Sequence, residues 1–436
     1  MIKRLATSSE AFDLELSNLL KIDSGEEEQV RTVVREILGK VRSNGDSAIL
    51  EYTSKFDALS VSDVSELRVE KGRLEKAYFD LDPLVKEALE TSVNRVRHYH
   101  QMQKKALGGG TDWSYKDAEG NQLGQLVRGM DRIGIYAPGG KAAYPSTVVM
   151  TAIPARVAGV SDITLMVPTP GGQANDVLLA AAHLCGVDRM YTIGGAQAIA
   201  ALTYGTQTIS KVDKIVGPGN IYVATAKELV FGDVGIDMVA GPSEVAIVAD
   251  NSADVDWLVM DMFAQAEHDE LAQSILISVD EELLDAVEAR IELSINQMQR
   301  KSIIQQSLAQ RGALIKVEDL DEAIDIVNRI APEHLELAID NPEKILGSIR
   351  FAGAVFMGKH SAEVVGDYTA GPSHVLPTNG AARFASPLGV YDFQIRSSLI
   401  NCSPRGAVKL SRAAAILAQE EGLFAHAESA KYRVQG

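Results

Sequence analysis

From Arg132 onward the chain alternates short apolar runs with helix-patterned stretches, and nearly every junction carries Gly or Pro. Few folds accept that pattern, because parallel strands buried on both faces need helical crossovers between them. Residues 132–136, 163–167, 189–193 and 214–216 read as strands. Residues 175–185, capped by Asn175 or Asp176, then 196–202 and 221–231 read as the intervening helices. The alternation restarts at Glu244, with strands expected at 245–249, 274–279, 313–317 and 353–357 and helices at 255–265, 281–296 and 320–330. The expectation is two doubly wound parallel sheets of Rossmann-like type. At 436 residues the chain also exceeds the ~250–300 residues that one core usually serves.

Residues 1 to about 125 look helical, with Phe12, Leu16, Leu19 and Leu20 and then Val30, Val33, Val34, Ile37 and Val41 at helical spacing. The domain expectation is an N-terminal helical arm over 1–25 and a discontinuous first α/β domain from 26–135 and 244–388. A second Rossmann-like domain takes 136–243, and a small helical C-terminal extension takes 389–436.

A formal charge of −17 argues against a nucleic-acid partner, which would need clustered Lys and Arg. No apolar stretch approaches the ~20 residues that span a bilayer, so no membrane partner is expected. Two cysteines far apart, Cys185 and Cys402, exclude a disulfide framework and suit a reducing compartment. The first ten residues carry two basic groups with no apolar run behind them, and the expected location is cytoplasmic.

No GxGxxG follows a strand, so the bare dinucleotide fingerprint is missing. Three other glycine turns stand where strands end: Tyr136-Ala-Pro-Gly-Gly140, Gly194-Gly-Ala-Gln197 and Gly217-Pro-Gly-Asn220. Each is either a tight βα turn or a place where backbone N–H groups meet an anionic ligand, with Tyr136, Gln197 and Asn220 available for polar contact.

Four of the chain's eight histidines fall in motifs of the second half. Gln265 and His268, three residues apart near a helix end, share one face, as two ligands of one ion would; the alternative is a helix cap. Asp367 and His374 flank a Gly/Pro/Ser loop where polar groups can converge. His426 follows Glu421 near the C-terminus and reads equally as a solvated histidine. Such a mixed N/O set favours zinc or manganese. Glu333 and His334 offer a water activator and a base that works near neutral pH, or else a capping Glu beside a surface His. Cys185 sits on the apolar pattern Leu178, Leu179, Ala182, Cys185, which marks a structural thiol rather than a nucleophile.

Taken in order, these motifs resemble the histidinol dehydrogenase family from about residue 30 to the C-terminus, together with Lys214-Ile-Val216, Ala240-Gly-Pro-Ser-Glu244 and Gly371-Pro-Ser-His374. The resemblance implies NAD-dependent, zinc-dependent, four-electron oxidation of L-histidinol to L-histidine through L-histidinaldehyde, the last step of histidine biosynthesis. By the same resemblance Gln265, His268, Asp367 and His426 hold one zinc ion per subunit, and Glu333 and His334 are catalytic. Ser243, His374 and Glu421, with His334 and the ligands, contact substrate; Tyr136, Gln197 and Asn220 contact NAD. It further implies an intertwined homodimer with shared active sites, in which Glu421 and His426 enter the partner's site. The rivals are a metal-dependent hydrolase without NAD, a cysteine-dependent aldehyde dehydrogenase, and a related amino-alcohol dehydrogenase.

Overall fold

The computed structural model describes residues 2–21, 27–139 and 143–435. Gly140 of the first glycine turn and residues 22–25 of the expected arm lie outside them. Two six-stranded sheets organise the chain.

In the first sheet all neighbours run parallel, in the order Lys3–Ala6, Ala313–Lys316, Gln273–Ser278, Glu244–Ala249, His334–Ala338, Ala354–Met357. Apart from the edge strand Lys3–Ala6, the chain lays down Glu244–Ala249 first, steps twice to one side, then returns to the other side for His334–Ala338. After its edge strand Arg68–Val69, the second sheet follows the same course: Arg132–Tyr136, then Asp162–Met166 and Arg189–Tyr191 to one side, then Lys214–Val216 and Gly235–Ile236 to the other. Only the short Arg68–Val69, at its edge, pairs antiparallel. Strand order therefore reverses beside Glu244–Ala249 in the first sheet and beside Arg132–Tyr136 in the second, and helices cover both faces. The expected doubly wound α/β class holds.

The central strands are apolar because both faces are covered. All residues of Glu244–Ala249 and Gln273–Ser278 are buried. Helices Val255–Ala266, Glu281–Ser294 and Lys301–Arg311 pack on one face of the first sheet, with Phe12–Leu20 and Leu320–Ile330 on the other.

Two expected domain assignments differ from this packing. Val30, Val34, Ile37 and Val41 of helix Glu27–Asn44 bury against Ile199, Ile215 and Val223, and Leu89, Val93 and Val96 of helix Pro83–Ala106 bury against Ile133, Ile163 and Val149. These helices therefore complete the second sheet, not the first. An amphipathic stripe records that a helix packs, not on which sheet it does so. Residues 2–20 are no free arm: Lys3–Ala6 is an edge strand of the first sheet, and Phe12, Leu16 and Leu19 join its core.

A third, antiparallel sheet joins Trp113–Lys116, Gln122–Gly129 and Gln394–Asn401. It leads into the C-terminal helices Pro404–Glu420 and Phe424–Gln435. Among the described residues no helix is long and apolar enough to cross a membrane.

Candidate active site

One residue of the first sheet, through its backbone N–H and carbonyl, organises the acid–base pair. Glu244 and His334 open adjacent central strands, with Val245 level with His334. The backbone N–H of Glu244 donates to Glu333 Oε2 at 2.9 Å, and its carbonyl faces His334 Nδ1 at 3.0 Å. The Nδ1 must therefore carry the proton, which leaves Nε2 as the free lone pair. That Nε2 is buried without a hydrogen-bond partner among the described residues. Both side chains sit at the amino ends of these strands, so the usual carboxyl-end position for ligands in open sheets does not apply here.

Nε2 looks toward a group of ligand-capable atoms. Asp367 Oδ1, on the short helix Glu363–Tyr368, lies 3.8 Å from His334 Nε2 and 3.8 Å from His374 Nδ1. One ligand atom from each of His334, Glu363 and Asp367 falls within 4.8 Å of the others. Gln265, at the end of helix Val255–Ala266, is fully buried, and neither polar atom of its amide has a partner among the described residues. His268 follows, open to solvent, and its field falls on both His334 and His374. Ser243 precedes Glu244 and holds the end of a neighbouring strand through Gln273 N–H at 2.9 Å.

Desolvation dominates the charges of this group. It raises Glu333 and Glu363 well above the usual carboxylate range and pushes Asp367 up to about 6. Glu244 is raised to about 7, again mainly by burial. Burial lowers His334 to about 3 and His374 to about 4, with His268 a smaller cause. Neutral imidazoles are the ligand form of histidine, and a divalent cation would draw the carboxyls back to their ionised form. The orphaned Gln265 amide makes the same point for its oxygen: leaving such a group unpartnered costs about 1–3 kcal/mol, and a cation bound to Oε1 would satisfy that atom. The residues fit a metal ion.

The structure thus brings Glu333, His334, Asp367 and His374 together, with His268 within electrostatic reach, Ser243 next to Glu244 in the chain and Gln265 buried three residues before His268. It does not bring Glu421 and His426 there. Both are exposed on the C-terminal helical pair, and no hydrogen bond or ion pair links either to the cluster among the described residues. Sequence reasoning missed Glu363, Glu336 and Asp261. Glu363 precedes Asp367 by one helical turn in Ala362-Glu-Val-Val-Gly-Asp367, so an i,i+4 acid pair was the available signal.

The three glycine turns gather at the carboxyl ends of the second sheet, around its reversal point between Arg132–Tyr136 and Lys214–Val216. Tyr136 is buried, its hydroxyl accepts from Gly195 N–H at 3.1 Å, and burial pushes its pKa up to about 12. Gln197 is buried in helix Gly195–Tyr204. Asn220 caps helix Ile221–Val230, its Oδ1 accepting from Tyr222 and Val223 N–H at 3.1 and 3.2 Å. Cys185 is buried, with its thiol raised to about 12, and so holds its proton at neutral pH.

A doubly wound α/β enzyme with an acid–base pair set beside a metal-capable cluster is the class that this arrangement defines. The chain belongs to the histidinol dehydrogenase family, whose model matches residues 21–434. It is 54% identical over 433 residues to the histidinol dehydrogenase of Pseudomonas savastanoi pv. phaseolicola, covering 99% of this chain and 96% of that protein. Identity to the Pseudomonas aeruginosa histidinol dehydrogenase is also 54%, over 99% of this chain and 97% of the relative. The crystal structure of histidinol dehydrogenase from Elizabethkingia anophelis superposes with a TM-score of 0.92 at 34% identity, covering 100% of this chain and 98% of the other.

Proposed function

We propose that this chain oxidises L-histidinol to L-histidine, the last step of histidine biosynthesis, by two successive hydride transfers to NAD through L-histidinaldehyde. The observation that carries this reading is the single residue Glu244, whose backbone holds Glu333 by its N–H and faces His334 with its carbonyl, next to a cluster with buried unpartnered ligand atoms. Gln265, His268 and Asp367 would hold zinc within this chain; bound there, the ion supplies a Lewis acid that positions and polarises the substrate. NAD, at the Tyr136, Gln197 and Asn220 turns, supplies the hydride acceptor.

In this account His334 Nε2 takes the alcohol proton as the first hydride leaves. Glu333 then takes a proton from the water that adds to the aldehyde, and the second hydride leaves from the resulting hydrate. Burial gives Glu333 a high proton affinity, which makes its carboxylate a stronger base toward that water. Ser243, His374 and Glu421 contact the substrate. The aldehyde stays in a water-poor site, since Glu333 and His334 are both buried.

The same reading makes the working unit an intertwined homodimer, with His426 the fourth zinc ligand and Glu421 a substrate contact in the partner's site. It is supported by the exposure of both residues in a single chain, on helices that also expose Ile416, Leu417 and Phe424. Unpaired Cys185 and Cys402 suit the cytoplasmic setting that it assumes.

Glu333→Gln tests the division of labour. NADH formation from histidinol should continue to the aldehyde level, while oxidation of added histidinaldehyde should fall by about 10²–10⁴-fold, the usual contribution of a general base. Equal losses in both steps would refute the roles given to Glu333 and His334.

A further inference from the structure

Gly217 stands one residue past strand Lys214–Val216, whose last ladder partner is Ile135 opposite Val216. Its peptide groups have left the sheet, and its φ of +108° lies where side chains are strained. A Cβ there would come within 2.1 Å of Tyr136 O, so the turn lies directly on the first glycine turn. One ion pair holds Gly217 from both sides. Gly217 N–H donates to Asp237 Oδ2 at 2.7 Å, and Lys227 Nζ donates to Gly217 O at 2.8 Å. Lys227 and Asp237 also pair with each other, with side chains only 2% and 1% exposed. Asp237 Oδ1 accepts Met238 N–H at 2.7 Å as well, at the start of the segment that runs to Ser243.

We propose that Lys227 and Asp237 form a positioning pair for cofactor binding, fixing the Gly217–Asn220 turn so that Asn220 and the N-terminus of helix Ile221–Val230 face the cofactor. The inference rests on the NAD reading of that turn. A buried ion pair is a poor source of stability, because desolvation offsets the attraction and apolar residues of like volume often do as well. Its specific product here is orientation: a donor and an acceptor of opposite charge hold the carbonyl and the N–H of one glycine. Asp237 matches the charge of Lys227 within the core, so the ammonium is not left for an anionic ligand. The pair acts through the turn without touching the cofactor.

The test is steady-state kinetics of the zinc-loaded enzyme carrying Lys227→Met with Asp237→Asn, a neutral pair of similar volume, beside Asn220→Ala. The double variant should raise KM for NAD about tenfold or more, as displaced binding groups do, with kcat and KM for histidinol within about twofold of wild type. Asp237→Asn alone, which keeps an acceptor for Gly217 N–H, provides a second reading if the double variant folds poorly; its KM for NAD should rise severalfold. If Asn220→Ala raises KM for NAD while neither pair variant moves it, the positioning inference is overturned and the cofactor site stands. If Asn220→Ala also leaves KM for NAD unchanged, the cofactor reading of the turn fails, and the inference fails with it.

Discussion

Replacing Glu336 by Gln should make the protein more resistant to unfolding at alkaline pH while changing little at pH 5. Glu336 belongs to strand His334–Ala338, is only 4% exposed, and accepts Glu363 N–H on Oε1 at 2.7 Å. Burial, with the Asp261 carboxylate as a second cause, raises its pKa from 4.5 to about 8. Asp261 is itself raised to about 6. For Glu336 the rise is about three and a half decades of proton affinity, on the order of 4–5 kcal/mol at about 1.4 kcal/mol per decade. An acid whose folded pKa is raised contributes its full stability below the unfolded value, and loses it as pH climbs through the folded one. Glu336 therefore favours the fold at pH 4.5 and opposes ionisation inside it by pH 8. Gln keeps the Oε1 acceptor and never ionises. The stability difference between variant and wild type should therefore grow by on the order of 2–5 kcal/mol from pH 5 to pH 8.5. Urea unfolding at pH 5, 7 and 8.5 measures it, in a Trp113→Phe background where Trp257, on a helix of the same sheet, is the fluorophore. A difference that does not change with pH, or a variant less stable at pH 8.5, would refute the burial argument for this acid.

Mixed dimers of a His426→Ala chain and a Glu333→Gln chain should regain about a quarter to a half of wild-type activity when one of two shared sites is intact; activity no higher than either parent's would count against exchange of the C-terminal helices. Cys185→Ser should leave kcat unchanged and lower stability by no more than about 1–2 kcal/mol, since the buried thiol packs but does not ionise. Activity lost from folded protein would revive the cysteine-dependent rival.

Doubly buried strands made the architecture legible, because covering both faces demands continuous apolar runs such as Val245-Ala-Ile-Val248. Asn175 was equally readable as a cap, and its Oδ1 accepts Val177 and Leu178 N–H. His334–Ala338 escaped recognition although it is a fully buried central strand, since Glu333, His334 and Glu336 break its apolar run. Chemistry there overrides the pattern. Gln394–Asn401 escaped because it is an exposed edge strand whose side chains show no inside–outside alternation. The site residues were legible as motifs, whereas Glu363 was not: its only signal is the i,i+4 spacing to Asp367, which solvated helix faces share, until folding sets both beside His334.

The most direct measurement is the amount of NADH formed per L-histidinol by the purified protein, before and after chelation and again after zinc is restored. The account predicts two NADH per histidinol, abolished by the chelator and recovered with zinc. One NADH, with free aldehyde in solution, would contradict a single site that completes both oxidations, and undiminished turnover after complete metal removal would contradict the role given to Gln265, His268 and Asp367.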